Sequence, residues 1–205
     1  MKIKLDELSD KQTYFAMTQT IMPRPIAWVL SENADGSLNL APYSYFNAVC
    51  TDPPLVVVSI NLQDDGSEKD TLRNIRERSQ FVIHIASDNQ LDVLNQSSAT
   101  LPPGESEVLA SNLSTTPVDG YHMPRLKDCK IALMCERHQT QPIGNKGQTL
   151  LFGEVKEIFI DDDCAKVSDK GRLKISAEKV APLARLGAGE YASFGKILTA
   201  TRPSS

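Results

Sequence analysis

Two segments of the sequence carry side chains that could hold a small ligand. In the first, Tyr45–Cys50, the aromatic Tyr45 and Phe46 are followed by Asn47 and the small Ala48. A strand of this kind offers a flat apolar surface, and its backbone amides and the Asn47 side chain can address one polar edge of a ring. An ordinary strand with exposed polar residues is the alternative interpretation of this segment on its own.

The second segment, Ser67–Ile75, is predicted to begin a helix near Lys69. The unpaired amides and the positive dipole end of a helix N-terminus favour a phosphate, to which Lys69 adds a charge and Thr71 a hydroxyl donor. Asp70 would repel such an anion, and we interpret it as the residue that caps the helix amides. A plain surface helix with charged ends is the alternative.

Motifs for metal or nucleophilic chemistry are missing from the sequence. The four cysteines are widely spaced without a CxxC pair, which in an intracellular protein indicates separate reduced thiols. Cys135 and His138 match half of a metal motif, but positions three apart on a strand point to opposite faces. The run Asp161–Asp163 lacks the spaced oxygen ligands of a calcium loop. We therefore predict no metal site.

The composition is typical of one globular domain, with 205 residues of which 40% are hydrophobic and 23% charged. The net charge of −4 argues against a broad nucleic-acid interface. The N-terminus lacks the apolar core of a signal peptide, and the apolar runs are too short to cross a bilayer. We expect a soluble, cytoplasmic protein without a nucleic-acid or membrane partner.

The strand signals predict a mainly β fold. Two β-rich runs, at 26–30 and 55–60, enclose a turn at Asn33–Gly36 and a return strand, Leu38–Val49, that is irregular at Pro42. Strands joined by turns, with helices inserted irregularly, indicate an antiparallel sheet that closes into a barrel. The further predicted elements are helices over 69–78 and 88–96, a strand over 80–86, and a strand pair over 130–139 and 149–160.

The stretch Ser97–Arg125 is predicted as an excursion from the barrel. It contains Pro102-Pro103-Gly104 and many Ser and Thr residues, with one short helix near Glu105–Ala110. Long loops in compact domains are uncommon unless they are functional or mobile. We therefore expect the excursion to govern access to a site, so that replacing 101–112 by a short linker leaves the melting temperature nearly unchanged. An inert insertion is the alternative.

Four segments in this order resemble the flavin reductase-like family of FMN-binding split barrels: PRPIAWV, NLAPYSYFNAVCTDPP, KDTLRNI and PLARLGAGEYASFGKI. They span most of Pro23–Lys196. The resemblance implies a single domain over residues 1–205 with a core of about 20–200, the excursion at about 97–125, and six or seven barrel strands. It also implies a homodimer that holds FMN near the subunit interface.

The resemblance also assigns residues to the cofactor. The strand segment would address the pyrimidine edge of the ring, and Lys69 and Thr71 would hold the phosphate. Arg24 pairs with the phosphate or caps the barrel, and Ser59 bonds the ribityl chain or the local backbone. The cofactor-binding set is Arg24, Ser44, Asn47, Ala48, Val49, Cys50, Ser59, Lys69, Thr71, Arg185 and Tyr191.

The function that follows from the resemblance is an FMN-dependent oxidoreductase that takes a hydride from NADH or NADPH. Electrons would pass on to free flavin, to a partner oxygenase or to a small acceptor. Since the hydride chemistry belongs to the cofactor, we name no catalytic residue. A non-enzymatic FMN-binding electron carrier or flavin store is the alternative. A pyridoxal-phosphate-type oxidase on a similar barrel is disfavoured, because the motifs match the reductase-like group.

Overall fold

The computed structural model describes residues 1–102, 105–201 and 203, and the mainly β fold with inserted helices is confirmed. The α-helices in these ranges are α1 (Asp10–Thr20), α2 (Asp70–Arg78), α3 (Leu91–Gln96), α4 (Glu107–Ala110) and α5 (Ala177–Val180). The strands in these ranges are β1 (Arg24–Pro25), β2 (Ala27–Glu32), β3 (Leu38–Tyr43), β4 (Phe46–Thr51), β5 (Pro54–Ile60), β6 (Gln80–Ile85), β7 (Thr115–Val118), β8 (Tyr121–Leu126), β9 (Ile131–Ile143), β10 (Gln148–Ile160), β11 (Ala165–Val167), β12 (Leu173–Ile175), β13 (Ala184–Arg185) and β14 (Tyr191–Ala192).

Seven strands form one antiparallel sheet in the order β3-β2-β6-β9-β10-β5-β4. The edge strands β3 and β4 are consecutive in the chain, with only Ser44 and Tyr45 between them. The peptide units from Tyr43 to Phe46 span at most about 11 Å, so the two edges of the sheet must meet. The Ser59 N–H donates to Tyr45 O at 2.8 Å beside this link. The sheet is therefore a barrel split along the line between β3 and β4, which we call the seam.

The prediction of one return strand over Leu38–Val49 is wrong. The segment forms two strands that serve opposite edges of the sheet, because β3 pairs with β2 and β4 pairs with β5. The break falls at Ser44-Tyr45, whereas Pro42 lies inside β3 opposite Trp28. Proline is tolerated there because an edge strand needs no outward amide for pairing.

Side chains of β2 alternate between two apolar clusters. Ala27 and Val29 pack with side chains of α2, β5, β6 and β10 in the first cluster. Trp28 and Leu30 pack in the second cluster, on the opposite face of the sheet. Because successive side chains of a strand point to opposite faces and both faces are covered here, β2 is apolar without alternation.

The excursion builds much of the second cluster. Val108 and Met123 are buried in it, and Trp28 Nε1 donates a hydrogen bond to Ser97 Oγ at 2.8 Å. The expectation that 101–112 can be replaced without loss of stability is therefore wrong, since this part of the chain covers the sheet. Pro103 and Gly104, which belong to the predicted loop, lie outside the described residues.

Side chains of the excursion also satisfy the free edge of β3. Ser106 Oγ donates to Leu38 O at 2.5 Å, and the Leu40 N–H donates to Glu107 Oε2 at 2.9 Å. Burial raises the pKa of the Glu107 carboxyl above its ordinary value. The excursion is thus fastened to the barrel edge through side chains, with no added strand.

Several predicted elements are confirmed and others were missed. The predicted helix over 69–78 is α2, the strand over 80–86 is β6, and the strand pair is the long hairpin of β9 and β10. The hairpin of β7 and β8 and the small sheet of β1, β13 and β14 were not predicted. Among the helices in the described ranges, none is long and apolar enough to span a membrane.

Helix α1 was also missed, although the sequence contains its start signal. Gln12 N–H donates to Ser9 Oγ at 3.4 Å, and Ser9 N–H donates to Gln12 Oε1 at 2.9 Å. Together these bonds form a capping box, whose Ser-x-x-Gln pattern is typical of a helix N-terminus.

His84 joins three strands near the centre of the sheet. It is fully buried on β6, where its Nε2 accepts the Leu126 N–H at 2.9 Å and its Nδ1 lies 3.2 Å from Trp28 O. A ring nitrogen that accepts a hydrogen bond carries no proton, so the ring is neutral and Nδ1 donates to the carbonyl. Burial lowers the pKa of His84 to about 3.

We predict that the free energy of unfolding falls as the pH drops from the ordinary histidine pKa of 6.5 to the folded value of about 3. In this window the unfolded chain binds a proton on His84 that the folded chain excludes. The expected slope is about 1.4 kcal/mol per pH unit. Urea unfolding at several pH values between these limits measures it.

The matched variants separate this imidazole from the rest of the chain. His84→Gln should remove the slope due to His84, whereas His122→Gln, which deletes an exposed imidazole, should retain it. A slope that His84→Gln leaves unaltered would contradict the neutral, proton-excluding ring.

Candidate functional site

Four cavities adjoin one another along the seam. Tyr43 lines both the first and the second, Ser44 and Tyr45 line the second and the third, and Phe46 and Asn47 line the third and the fourth. The second, third and fourth enclose about 290, 310 and 570 Å³. Because each cavity shares lining residues with the next, we group them, from the N-terminus of α2 to β4, as the seam groove.

Lys69 lies at one end of the seam groove. It is the N-cap residue of α2 and lines the first cavity. The neighbouring charges are paired, Asp70 with Arg73 and Glu68 with Arg76. Lys69 forms no ion pair with the residues that the structure describes, so its ammonium is available to an anion at this helix N-terminus.

The interpretation of Asp70 as a helix cap is wrong. Among the described residues, no side chain caps the amides at the start of α2, because the Asp70 carboxylate turns toward Arg73 one turn further along the helix. The amides of the first turn therefore keep their capacity to bind an anionic group.

Thr71 lines the first cavity together with Lys69 and belongs to a buried polar network. The residue is 1% exposed, and its Oγ1 accepts a hydrogen bond from Asn39 Nδ2 at 2.9 Å. Asn39 Nδ2 also donates to Ser31 Oγ at 3.0 Å, and a hydrogen bond links Thr71 to the buried Tyr43 hydroxyl, whose pKa is raised by burial. The network attaches α2 to β2 and β3, and Thr71 sets the position of the helix start.

The middle of the groove contains two serine hydroxyls. Ser44 and Ser59 both line the second cavity. Ser59 Oγ accepts from Gln148 Nε2 at 2.7 Å, and Ser44 Oγ lies 3.4 Å from Arg24 Nε. A hydroxyl that accepts in this way can still donate its own proton to a ligand.

Strand β4 forms the other end of the seam groove. Asn47, Ala48 and Cys50 line the fourth cavity with apolar side chains of β5 and β10, and the Ala48 N–H donates to Asn47 Oδ1 at 2.9 Å. The Asn47 amide thus covers a backbone donor that a ligand could take. Val49 occupies the irregularity between Ala48 and Cys50 and does not line the cavity.

Arg24 is buried beside the third cavity. Its Nη1 donates to Thr18 O and Ile21 O and its Nη2 donates to Leu186 O, each at 2.6 Å. The guanidinium thereby joins the end of α1 to the segment around Leu186. It lines the third cavity and not the first, where Lys69 lies.

Arg185 and Tyr191 are not brought to the seam groove. The Arg185 guanidinium lies 4.3 Å above the Tyr191 ring and donates to the carbonyls of Ala188 and Glu190. Tyr191 Oη donates to Asn95 Oδ1 at 3.2 Å. These contacts hold the glycine-containing turn together beside β1, and neither side chain lines any of the four cavities.

Helix α1 contributes to the groove, which was not predicted from the sequence. Tyr14 lines the second cavity, and Met17 and Ile21 line the third. Their spacing of three and four residues places them on one helix face. The capping box at Ser9 would have identified the helix. The position of the helix over the seam depends on the hydrogen bonds of Arg24 to backbone carbonyls, and the sequence does not indicate which carbonyls accept them.

The arrangement suits an elongated ligand with two different ends. An anionic group fits at Lys69 and the free amides of α2, while a planar ring with a polar edge fits against β4. The serine hydroxyls between them suit a polyhydroxylated linker. Among the residues that the structure describes, no three His, Cys, Asp or Glu side chains converge as a metal site would require.

The strand order and the open seam define a split β-barrel. A family model described as the flavin reductase like domain matches residues 17–173. The chain therefore belongs to the flavin reductase-like family, as the four sequence segments indicated.

Solved structures extend the likeness over nearly the whole chain. Nitrilotriacetate monooxygenase component B from Bacillus cereus is 34% identical, with 98% of each chain covered and a TM-score of 0.89. The 2-nitrobenzoate 2-nitroreductase NbaA of Pseudomonas fluorescens is 30% identical, covering 99% of this chain and 96% of that chain, with a TM-score of 0.87. A relative from Halalkalibacterium halodurans is 35% identical over 208 residues, which is 100% of this chain and 97% of its own.

Proposed function

We propose that the protein is an FMN-dependent oxidoreductase that takes electrons from NADH or NADPH. The observation that carries this proposal is the seam groove, with an unpaired lysine at a helix N-terminus at one end and a polar-edged strand at the other. Bound FMN supplies the hydride and electron chemistry, and the protein supplies binding and orientation.

The polar end of the groove fits one phosphate. Lys69 offers a cation, and the first turn of α2 offers amides without a side-chain cap. The first cavity encloses only about 50 Å³, which suits a single phosphate group better than a second nucleotide. We therefore propose FMN in preference to FAD.

The remaining residues would orient the ribityl chain and the ring. Ser44 and Ser59 can donate to the ribityl hydroxyls, while Asn47 and the Ala48 amide address the pyrimidine edge, once the Asn47 side chain releases that amide. Cys50 adds lining beyond Ala48. Thr71 lines the same cavity as Lys69, and its hydrogen bond from Asn39 holds the helix start in place.

The electron acceptor is proposed from the relatives. One similar structure is a component of a monooxygenase, and another is named as a nitroreductase. Both names are consistent with electrons leaving the flavin for free flavin, a partner oxygenase or a small acceptor. The second candidate is a non-enzymatic electron carrier or flavin store. A cytoplasmic location belongs to the same proposal.

Anaerobic mixing with NADH and with NADPH tests the function. We expect the protein to bind FMN and the yellow absorbance to bleach with at least one of the two donors. Bound FMN that neither donor reduces would favour the carrier or store. Protein that remains colourless with added FMN would refute both.

We predict that Lys69→Ala weakens the binding of FMN more than that of riboflavin, which lacks the phosphate. A lost charge-assisted hydrogen bond corresponds to about 1.5–3 kcal/mol. Flavin titrations of the two ligands give the difference. Lys127→Ala, which deletes an exposed lysine away from the four cavities, should leave both affinities unaltered. If Lys69→Ala lowers the affinities for FMN and riboflavin equally, Lys69 does not contact the phosphate.

We also propose a homodimer whose second copy covers the seam groove. Tyr14, Ile21 and Val49 are exposed apolar side chains beside the groove, and a two-fold dimer is the commonest way to cover such a surface. We expect an interface above roughly 2,000 Å² in total. Light scattering of the FMN-loaded protein measures the mass, and a monomer with FMN fully bound would contradict this proposal.

A further inference from the structure

Arg24 carries a positive charge into the interior beside the seam groove. The residue is 5% exposed, and the hydrogen bonds of its Nη atoms go to neutral carbonyl oxygens. The arginines of α2 differ, since Arg73 and Arg76 pair with carboxylates. Within the described ranges, Arg24 has no carboxylate partner.

A buried charge without an opposite charge is costly, and arginine cannot relieve the cost by losing its proton. The carbonyl dipoles offset part of this cost. The remainder favours an anionic group in the space next to the guanidinium. That space is the third cavity, which Arg24 lines together with Ser44, Phe46 and Asn47.

The position of Arg24 along the groove indicates which anion it meets. Lys69 lines the first cavity, and the first and third cavities share no lining residue. A ligand whose phosphate lies at Lys69 therefore presents its other end to Arg24. In FMN that end is the ring, whose pyrimidine edge carries a negative charge when the reduced form has lost its N1 proton.

We propose that Arg24 supplies the counter-charge for the anionic ring of reduced FMN and makes the site prefer reduced over oxidised FMN. A cation near a group that becomes negative on reduction stabilises that form. This inference rests on the proposed function, because it takes FMN as the ligand.

The shape of the guanidinium explains why the charge is carried by arginine. Its fork holds the end of α1 and the Leu186 segment, which pack so closely that a Cβ at Gly187 would collide with the Gln19 side chain. A lysine keeps the charge but has one nitrogen, and it cannot satisfy the same carbonyls on both segments. Arg24→Lys therefore distinguishes the effect of the positive charge, which it keeps, from the effect of the branched hydrogen bonds, which it loses.

The test compares the dissociation constants of oxidised and reduced FMN, measured anaerobically on the full chain. Arg24→Gln is expected to lower the preference for reduced FMN at least about tenfold, a shift of about −30 mV in the two-electron midpoint potential of bound FMN. Arg24→Lys should keep the preference within about threefold while lowering the Tm, because the charge remains and the fork is lost.

The matched control is Arg125→Gln. Arg125 also donates to backbone carbonyls, those of Leu126 and Lys127, but it lines none of the four cavities. This variant removes the same charge from the chain and should leave the ratio of the two dissociation constants unaltered.

Other outcomes overturn the inference. If Arg24→Gln weakens the binding of oxidised and reduced FMN equally, Arg24 only joins α1 to the Leu186 segment and does not act on the ring. If the ratio is unaltered and only the discrimination between NADPH and NADH changes, the charge serves the nicotinamide nucleotide. Wild-type protein that binds neither form of FMN would refute the proposed function, and this inference with it.

Should Arg24→Gln fail to fold, the wild type still decides the question. Uptake of one proton with two electrons changes the midpoint potential by about 30 mV per pH unit, and uptake of two protons by about 59 mV. The inference requires the one-proton slope from about pH 6 upward, and a two-proton slope would overturn it. The titratable side chains that line the adjoining cavities include Tyr14 and Tyr45, together with Lys156 and Glu157 in the fourth cavity. Burial raises the pKa of Tyr45 above its ordinary value of about 10, and the hydrogen bond from Lys156 to Glu154 raises the pKa of that ammonium.

Discussion

The link at Ser44-Tyr45 is the constraint on which the rest of the structure depends. It joins strands at opposite edges of a seven-stranded sheet, so the sheet has to curl until the edges meet. The meeting is incomplete, because β3 and β4 pair with β2 and β5 and, within the described residues, not with each other. What remains between them is a groove whose floor is already supported by the barrel core.

The groove acquires its polarity from elements that are distant in sequence. Helix α2 presents its N-terminus at one end because Thr71 and Asn39 attach it to the sheet. Helix α1 lies beside the second and third cavities because Arg24 binds the carbonyls of Thr18 and Ile21 at the end of the helix. Lys69 therefore stands at one end, half-buried and without an ion pair among the described residues, and Arg24 stands beside the third cavity, buried and hydrogen-bonded only to neutral oxygens. A ligand with a single negative centre would use only half of this arrangement.

Much of the fold could be predicted from local patterns. The β-branched run of β5 and the three-residue spacing of Leu72 and Ile75 in α2 each identify their element without tertiary information. The break in the return strand could not be predicted, because it depends on tertiary pairing: β3 pairs with β2, whereas β4 pairs with β5. The environment of Arg24 could not be predicted either, because its hydrogen-bond acceptors are backbone carbonyls, which every residue type provides.

The site residues divide in the same way. Lys69 and the β4 segment reach the groove as their local chemistry predicts. Thr71 lines the same cavity as Lys69, but its hydrogen bond to Asn39, 32 residues away in the chain, could not be predicted from local pattern. The excursion was misread because its proline and serine content suggests a loop, whereas Val108 and Met123 are the side chains that determine where it packs.

The bonds from Ser106 and Glu107 to β3 have a further consequence for how this chain behaves among others. A sheet edge with unpaired amides and carbonyls is a template for strand addition by any neighbouring chain. With α4 docked, that template is occupied at Leu38 and Leu40. During synthesis, β3 emerges before α4, so the edge stays bare until the excursion arrives. A substitution that removes the bonds from Ser106 and Glu107 would leave this edge bare in the finished chain as well, and would extend the time during which it is open to strand addition.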